Sequence, residues 1–111
     1  MKTIVAGTRT LTDSVLVHNT LDKFNITTLL CGMCEGTDRL AYNYCKDKKI
    51  PIDMYPAKWE EYGKAAGPIR NKEMSDVADC LIAFWDGKSK GTLNMINRMR
   101  KLNKPVHIIE V

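Results

Sequence analysis

The sequence contains no stretch near the roughly 20 consecutive apolar residues that a helix needs to cross a bilayer, so no membrane segment is expected. It also lacks the apolar leader of a secreted protein. Met1-Lys2-Thr3-Ile4-Val5-Ala6-Gly7 turns polar too soon, and the expected location is the cytoplasm. Neither sign of charge dominates: 17 Lys and Arg against 13 Asp and Glu leave a formal +4. That mild excess fits an anionic small molecule as well as a polyanion; with few paired basic–aromatic stretches beside it, nucleic acid is the less expected partner. The densest basic group, Arg98, Arg100, Lys101 and Lys104, falls near the end of the last predicted helix. The helix dipole favours cations there, on a solvated face.

Two familiar phosphate signatures are missing as well. Gly87-Lys88-Ser89 looks like the end of a Walker A motif, but the earlier glycine position holds Ile82, inside a predicted strand. No G-x-G-x-x-G occurs. Cysteine is too sparse for a metal centre: Cys31-Gly32-Met33-Cys34 is a C-x-x-C, yet Cys45, Cys80, His18 and His107 are scattered and give no second pair. Cys31 continues the apolar run from Leu29 and reads as a small buried hydrophobe. No metal and no cofactor are expected.

What is present is a regular alternation of strand and helix signals. Thr3 to Ala6 is a short apolar run ending at Gly7, the profile of a buried parallel strand. Val17, Leu21 and Phe24 follow at helical spacing, with Asp13 as a cap. Ile26 to Cys31 reads as the second strand, and Leu40, Ala41 and Tyr44 as a helix opening near Thr37-Asp38. Ile50 to Tyr55 is a third, weaker strand because it contains Pro51. The rhythm breaks between Pro56 and Gly67, where Trp59 and Tyr62 sit among charges. Pro68 then suits the first turn of a helix carrying Ile69, Met74 and Val77. Asp79 to Trp85 is the strongest strand signal, Met95, Ile96, Met99 and Leu102 mark the last helix, and Pro105 to Ile109 closes as a fifth strand.

Five strands interleaved with helices predict a single α/β domain over 1–111, a Rossmann-like three-layer sandwich with a mainly parallel sheet. Right-handed crossovers favour the order 3-2-1-4-5, which reverses between strands one and four. Ligands of such sheets bind at that reversal, outside the carboxyl ends of the strands.

Three glycine-marked turns fall at this edge: Gly7-Thr8-Arg9-Thr10, Gly32 through Gly36-Thr37-Asp38, and Gly87-Lys88-Ser89-Lys90-Gly91-Thr92. Glycine admits close approach of backbone N–H groups, and the helix start beyond each turn favours an anion. Ser and Thr hydroxyls add donors, and Arg9 offers a planar fork for phosphate. Tight strand-to-helix turns need Gly and caps need Ser, Thr or Asp in any case, so turn chemistry alone accounts for part of the pattern.

Gly7-Thr8-Arg9, Gly32-x-x-x-Gly36-Thr37-Asp38-x-x-Ala41, Pro56-Ala57-x-Trp59, Gly63-Lys64-Ala65-Ala66-Gly67-Pro68-Ile69-Arg70-Asn71-x-x-Met74 and Gly87-x-x-x-Gly91-Thr92 follow one another in an order that resembles the YspA-like (cpYpsA-related) branch of the SLOG superfamily. That superfamily includes the Smf/DprA DNA-processing proteins and the LOG phosphoribohydrolases. The resemblance covers nearly the whole chain. It implies a nucleotide-binding Rossmann-like fold, with Arg9, Gly32, Gly36, Asp38, Gly67, Arg70, Asn71, Gly91 and Thr92 around the ligand. It leaves open whether Trp59 and Tyr62 cover a base, brace the Arg70 loop or pack as a lid. Three positions depart from the family: Met33 stands where a second glycine is usual, Glu35 where a basic residue is common, and Leu93-Asn94-Met95 where the LOG enzymes carry catalytic acids.

The expectation is a protein that binds a nucleotide-derived small molecule, an ADP-ribose-type or mononucleotide signal, as a sensor or sequestering protein. Arg9 and Arg70 would hold phosphate, Glu35 or Asp38 the ribose hydroxyls, and Asn71 and Thr92 the orientation. Glu35 is also expected to pair with Arg9 or Arg70. The alternative is a hydrolase of an N-glycosidic or phosphate bond, with Glu35 or Asp38 as general acid/base and Asp86 as the third acid of the edge. A DNA-processing-type nucleic-acid binder comes last. Self-association to a homo-oligomer is expected from Met95, Met99 and other apolar groups taken to lie on exposed helix faces.

Overall fold

Apolar side chains alternate along the central strands and so point to opposite faces of the sheet, where each face must be covered. In the computed structural model, which describes residues 1–111, strands β1 (Lys2–Gly7), β2 (Thr28–Cys31), β3 (Ile52–Met54), β4 (Cys80–Trp85) and β5 (Val106–Glu110) form one sheet. Its order is β3-β2-β1-β4-β5, and every neighbouring pair is parallel. Val5, Leu29, Cys31, Ile82 and Phe84 point to one face, against Val17 and Leu21 of helix α1 (Ser14–Leu21) and Ala41, Tyr44 and Cys45 of α2 (Thr37–Asp47). Ile4, Leu30, Leu81 and Ala83 point to the other, against Met74 of α4 (Ala66–Val77) and Met95, Ile96 and Met99 of α5 (Lys90–Lys101). Each such aliphatic side chain, fully buried, stabilises the fold by about 1.5–3 kcal/mol. The expected three-layer architecture and strand order are those observed.

Local signals mostly fix the element ends. The Asp13 carboxylate accepts from Leu16 N at 3.0 Å and caps α1. That helix stops at Leu21, so Phe24 lies beyond it and packs its ring against His107. Pro51 precedes β3 and contributes only its carbonyl, which accepts from Leu29 N at 2.9 Å. Pro68 sits in the first turn of α4, where its missing N–H leaves no bond unmade. Val77 is exposed, contrary to the core position its spacing predicts, because α4 ends there and the chain turns into Ala78.

One further expectation is corrected, while Arg98, Arg100 and Lys101 fall in the last turn of α5 as expected. Met95 and Met99 lie in the core under the sheet, so they offer no exposed apolar face for self-association. In the basic group, Lys104 Nζ donates to the carbonyls of Ser75 and Asp76 at 2.7 and 3.2 Å, satisfying the end of α4, and Arg98 Nε donates to Asn94 Oδ1. No helix is long and apolar enough to cross a membrane.

Candidate functional site

The reversal of strand order lies between β1 and β4, and the turns leaving β1, β2 and β4 meet above it. Gly7 ends β1 with no room for a side chain: an added Cβ would fall 2.2 Å from the Phe84 carbonyl oxygen. Gly36 opens α2 at φ +71°, and its Cβ would strike the Arg9 backbone at 2.3 Å. The first and second turns therefore interlock. Thr37 reinforces them, its hydroxyl donating to the Thr8 carbonyl at 2.9 Å, while the Thr8 hydroxyl accepts from Asp86 N at 3.1 Å. Both threonines are buried and act as ties between turns.

Arg70 crosses from α4 to the second turn. Its Nη1 donates to the Gly32 carbonyl, 2.6 Å away, Nη2 to Cys34 Sγ at 3.7 Å and Nε to Asn71 Oδ1 at 3.0 Å. Gly32 leaves space for these side chains, since a Cβ would lie 2.7 Å from Arg70 Nη1 and 3.0 Å from Asp38 Oδ2 and would displace them. Asn71 in turn donates to the Gly91 carbonyl at 3.2 Å and to Asn94 Oδ1 at 3.1 Å, joining α4 to the first turn of α5. Asn94, which stands where related enzymes place an acid, is thus part of a structural chain of amides. Ser89 caps α5 and shares a hydroxyl–hydroxyl bond with Thr92. Thr92 N is taken by that cap at 3.5 Å, which leaves the N–H groups of Lys90 and Gly91 as the ones at the start of the helix without an intrahelical acceptor.

The result is a cleft of about 70 Å³ lined by Gly7, Arg9, Gly32, Asp38, Arg70, Asn71, Ser89, Gly91 and Thr92 among the expected residues, and by Val5, Ala6, Cys34, Met74 and Met95 beside them. It continues past Arg9 and Arg70 into a groove of about 410 Å³ between the second turn and the Pro56–Trp59 segment, where Glu35 and Trp59 lie. Gly67 backs the Trp59 ring, a Cβ there falling 3.5 Å from Cη2. Trp59 belongs to the short helix α3 (Trp59–Tyr62), which a 3₁₀ turn (Gly63–Ala65) joins to α4. Gly87 and Lys88 are exposed and line neither space; the Asp86 carboxylate accepts from Lys88 N and Ser89 N and only shapes their turn.

Asp38 is the one acid inside the cleft. Burial holds its carboxyl up at about 6, although the Cys34 N–H bond at 3.1 Å and the nearby Arg70 charge favour the ionised form. It is not the cap of α2, a place taken by Gly36, but a tie that pulls the second turn back onto the helix. Glu35 is exposed and pairs with neither arginine; the two ion pairs of the chain are Lys48–Asp22 and Lys72–Asp76. Met33 adopts φ +62°, the left-handed backbone that explains why relatives place glycine there. Cys34 is the lining residue that sequence reasoning passed over, although Gly32 beside it marks the turn. Its neighbour Cys31 is buried, which pushes that thiol up to about 11 and leaves it protonated and a poor nucleophile at neutral pH.

The Gene 61 protein of Mycobacterium phage D29 is 34% identical over 77 residues, covering 68% of this chain and 62% of that protein. DNA processing protein A (DprA) from Streptococcus pneumoniae matches in structure with a TM-score of 0.78 over 99% of this chain and 50% of its own, at 15% identity, a likeness of fold alone. The chain thus spans less than two thirds of the length of either relative. A model of the YspA, cpYpsA-related SLOG family matches residues 1–62, more than half of the chain and two of the three turns at the cleft, and the protein belongs to that family.

Proposed function

We propose that the cleft binds the phosphate of a nucleotide-derived small molecule, an ADP-ribose-type signal or a mononucleotide, and that the protein senses or sequesters this ligand. The observation that carries the reading is the pair Arg9 and Arg70 on the shared wall of cleft and groove, with the open start of α5 opposite. Arg70 is held in place by three hydrogen bonds from its guanidinium, and Arg9 enters no ion pair. A cation fixed beside free helix-start amides suits a dianion in a fold whose ligands gather at this edge.

A thermal-shift and calorimetry screen against mononucleotides, NAD, ADP-ribose and cyclic nucleotides, with chromatography of each mixture, tests the reading. A ligand at 100 times its dissociation constant adds about 2.7 kcal/mol of stability. Stabilisation with the ligand recovered intact is the expected result, and no shift with any phosphate compound would sink the proposal. One observation favours hydrolysis as the second reading: Asp38 lies in the cleft with its carboxyl near 6, a value suited to proton transfer. Conversion of a bound ligand, abolished in Asp38→Asn with binding kept, is the outcome that reading requires.

A further inference from the structure

The groove outside the cleft holds groups that the fold does not use. Trp59 is half exposed, its ring edge backed by Gly67 and its remaining surface open. Glu35 lines the same groove without an ion-pair partner, and Arg9 and Arg70 line it on the side shared with the cleft. The cleft, at about 70 Å³, lies well below the range of sites that enclose a whole small molecule and suits a phosphate-sized group. The groove, at about 410 Å³, falls in the range of small-molecule sites. A ligand anchored by phosphate in the cleft must therefore extend its remaining part past the arginines to Trp59 and Glu35.

The chemistry of that wall narrows what the extension is. An indole with an open surface takes a flat ring. Arg9 and Arg70 repel a cationic ring, and Glu35 repels a second phosphate. A carboxylate only accepts hydrogen bonds, with two oxygens side by side. Among the common bases only guanine presents two adjacent donors, N1–H and the exocyclic amino group, on one edge. Adenine and cytosine place an acceptor beside their amino group, and uracil places its single donor between two acceptors.

We propose that the groove is a guanine subsite, with Trp59 stacking on the face of the base and Glu35 reading its edge, and that the ligand is a guanine mononucleotide. The proposal rests on the reading that the cleft takes a nucleotide's phosphate. Calorimetry with GMP, IMP, AMP, 2′-deoxy-GMP and ribose 5-phosphate tests the two separately. GMP is expected to bind at least about five-fold more tightly than AMP, the lower end for a bidentate base contact. IMP, which lacks the amino group, should fall between them, and 2′-deoxy-GMP should match GMP. In Glu35→Gln the amide offers one donor and one acceptor, which suits adenine, so the preference should invert toward AMP. Trp59→Ala should weaken GMP by about ten-fold through lost stacking. Equal affinity for GMP and AMP with ribose 5-phosphate still bound overturns the guanine subsite and leaves the phosphate reading intact. So does a ten-fold loss with 2′-deoxy-GMP while IMP equals GMP, which would move Glu35 to the ribose. No binding by any compound, ribose 5-phosphate included, overturns both. Should either variant fail to fold, the wild-type series of GMP, IMP and AMP decides alone.

Discussion

The floor of the cleft and the rim of the groove are built from the same turns but treat their polar atoms in opposite ways. On the floor, Thr8, Thr37, Asp38, Asn71 and Thr92 are buried, and no buried side-chain nitrogen or oxygen in the chain lacks a partner. Their bonds run to backbone groups and to the side chains of Arg70, Asn94 and Ser89. On the rim, Glu35 and Arg9 are exposed and enter no ion pair, and Trp59 presents half its surface to solvent. The residues that make the family recognisable therefore act chiefly as architecture, holding three turns in contact. Ligand chemistry falls to the rim and to Arg70, which belongs to both. Substitutions on the floor should act first on stability, and substitutions on the rim on binding.

The largest effect is expected where the floor leaves no space. Gly36→Ala would put a Cβ 2.3 Å from the Arg9 carbonyl oxygen at φ +71°, a steric conflict on top of an unfavourable backbone. It should cost about 3 kcal/mol or more in chemical denaturation. Gly87→Ala is the matched control, at φ +79° with nothing within 4 Å of the new atom. It should cost only the left-handed backbone term, about 1 kcal/mol. Equal losses in the two variants would show that the turns do not interlock as described.

Asp38 sharpens the comparison because it is a floor residue with rim-like chemistry. Its carboxyl sits near 6 in the folded protein and near 3.9 in an unfolded chain. The folded state therefore binds the extra proton between these values, and stability falls as pH rises through that window. Below about pH 4 the burial penalty is absent; above about pH 6 it is complete, near 3 kcal/mol for a shift of this size. Asn keeps an oxygen for the Cys34 N–H and carries no charge. Asp38→Asn should be more stable than the parent by about 2 kcal/mol at pH 7.5 and equal to it near pH 4, a gap readable from melting midpoints across that range. A constant gap would mean that Asp38 acts through packing and not through its charge.

The unbroken apolar runs Ile4-Val5-Ala6 and Leu81-Ile82-Ala83-Phe84 made a sheet covered on both faces legible in the sequence, and the strand order followed from crossover handedness. The turns were legible through their glycines, which mark places where backbone approaches backbone, as at Gly7 and Gly36, or where a side chain crosses close by, as at Gly32. Partners were not legible. Neither Glu35 standing apart from Arg9 nor Arg70 reaching Gly32 across 38 positions follows from any local pattern, because side-chain direction at a turn is set by tertiary packing. Helical spacing placed Met95 and Met99 on one side of a helix, but not which side faced the sheet. The Gly63–Met74 block was legible as a unit, since Gly67 leaves room for Trp59 and Arg70 follows one helical turn later.

The smallest single effect on stability, at Arg9, and the cleanest separation of floor from rim are expected from the two arginines. Arg70 makes hydrogen bonds to the Gly32 carbonyl and to Asn71, so Arg70→Ala removes support from the second turn and leaves the Gly32 carbonyl to water. A loss of about 1.5–3 kcal/mol is expected, the range for hydrogen bonds to a charged group, together with loss of phosphate binding. Arg9 is exposed and forms no ion pair, so Arg9→Ala should change stability by less than about 0.5 kcal/mol. Its effect should appear only with ligand, as roughly a ten-fold or greater loss of affinity for a phosphate compound, typical of losing a charged contact. Paired melting and calorimetry of the two variants decide the matter. If Arg9→Ala lowers the melting midpoint as much as Arg70→Ala, Arg9 belongs to the floor. If it leaves both stability and phosphate affinity unchanged, the anion is held by Arg70 and the α5 amides alone, and the site reaches the groove without the second cation.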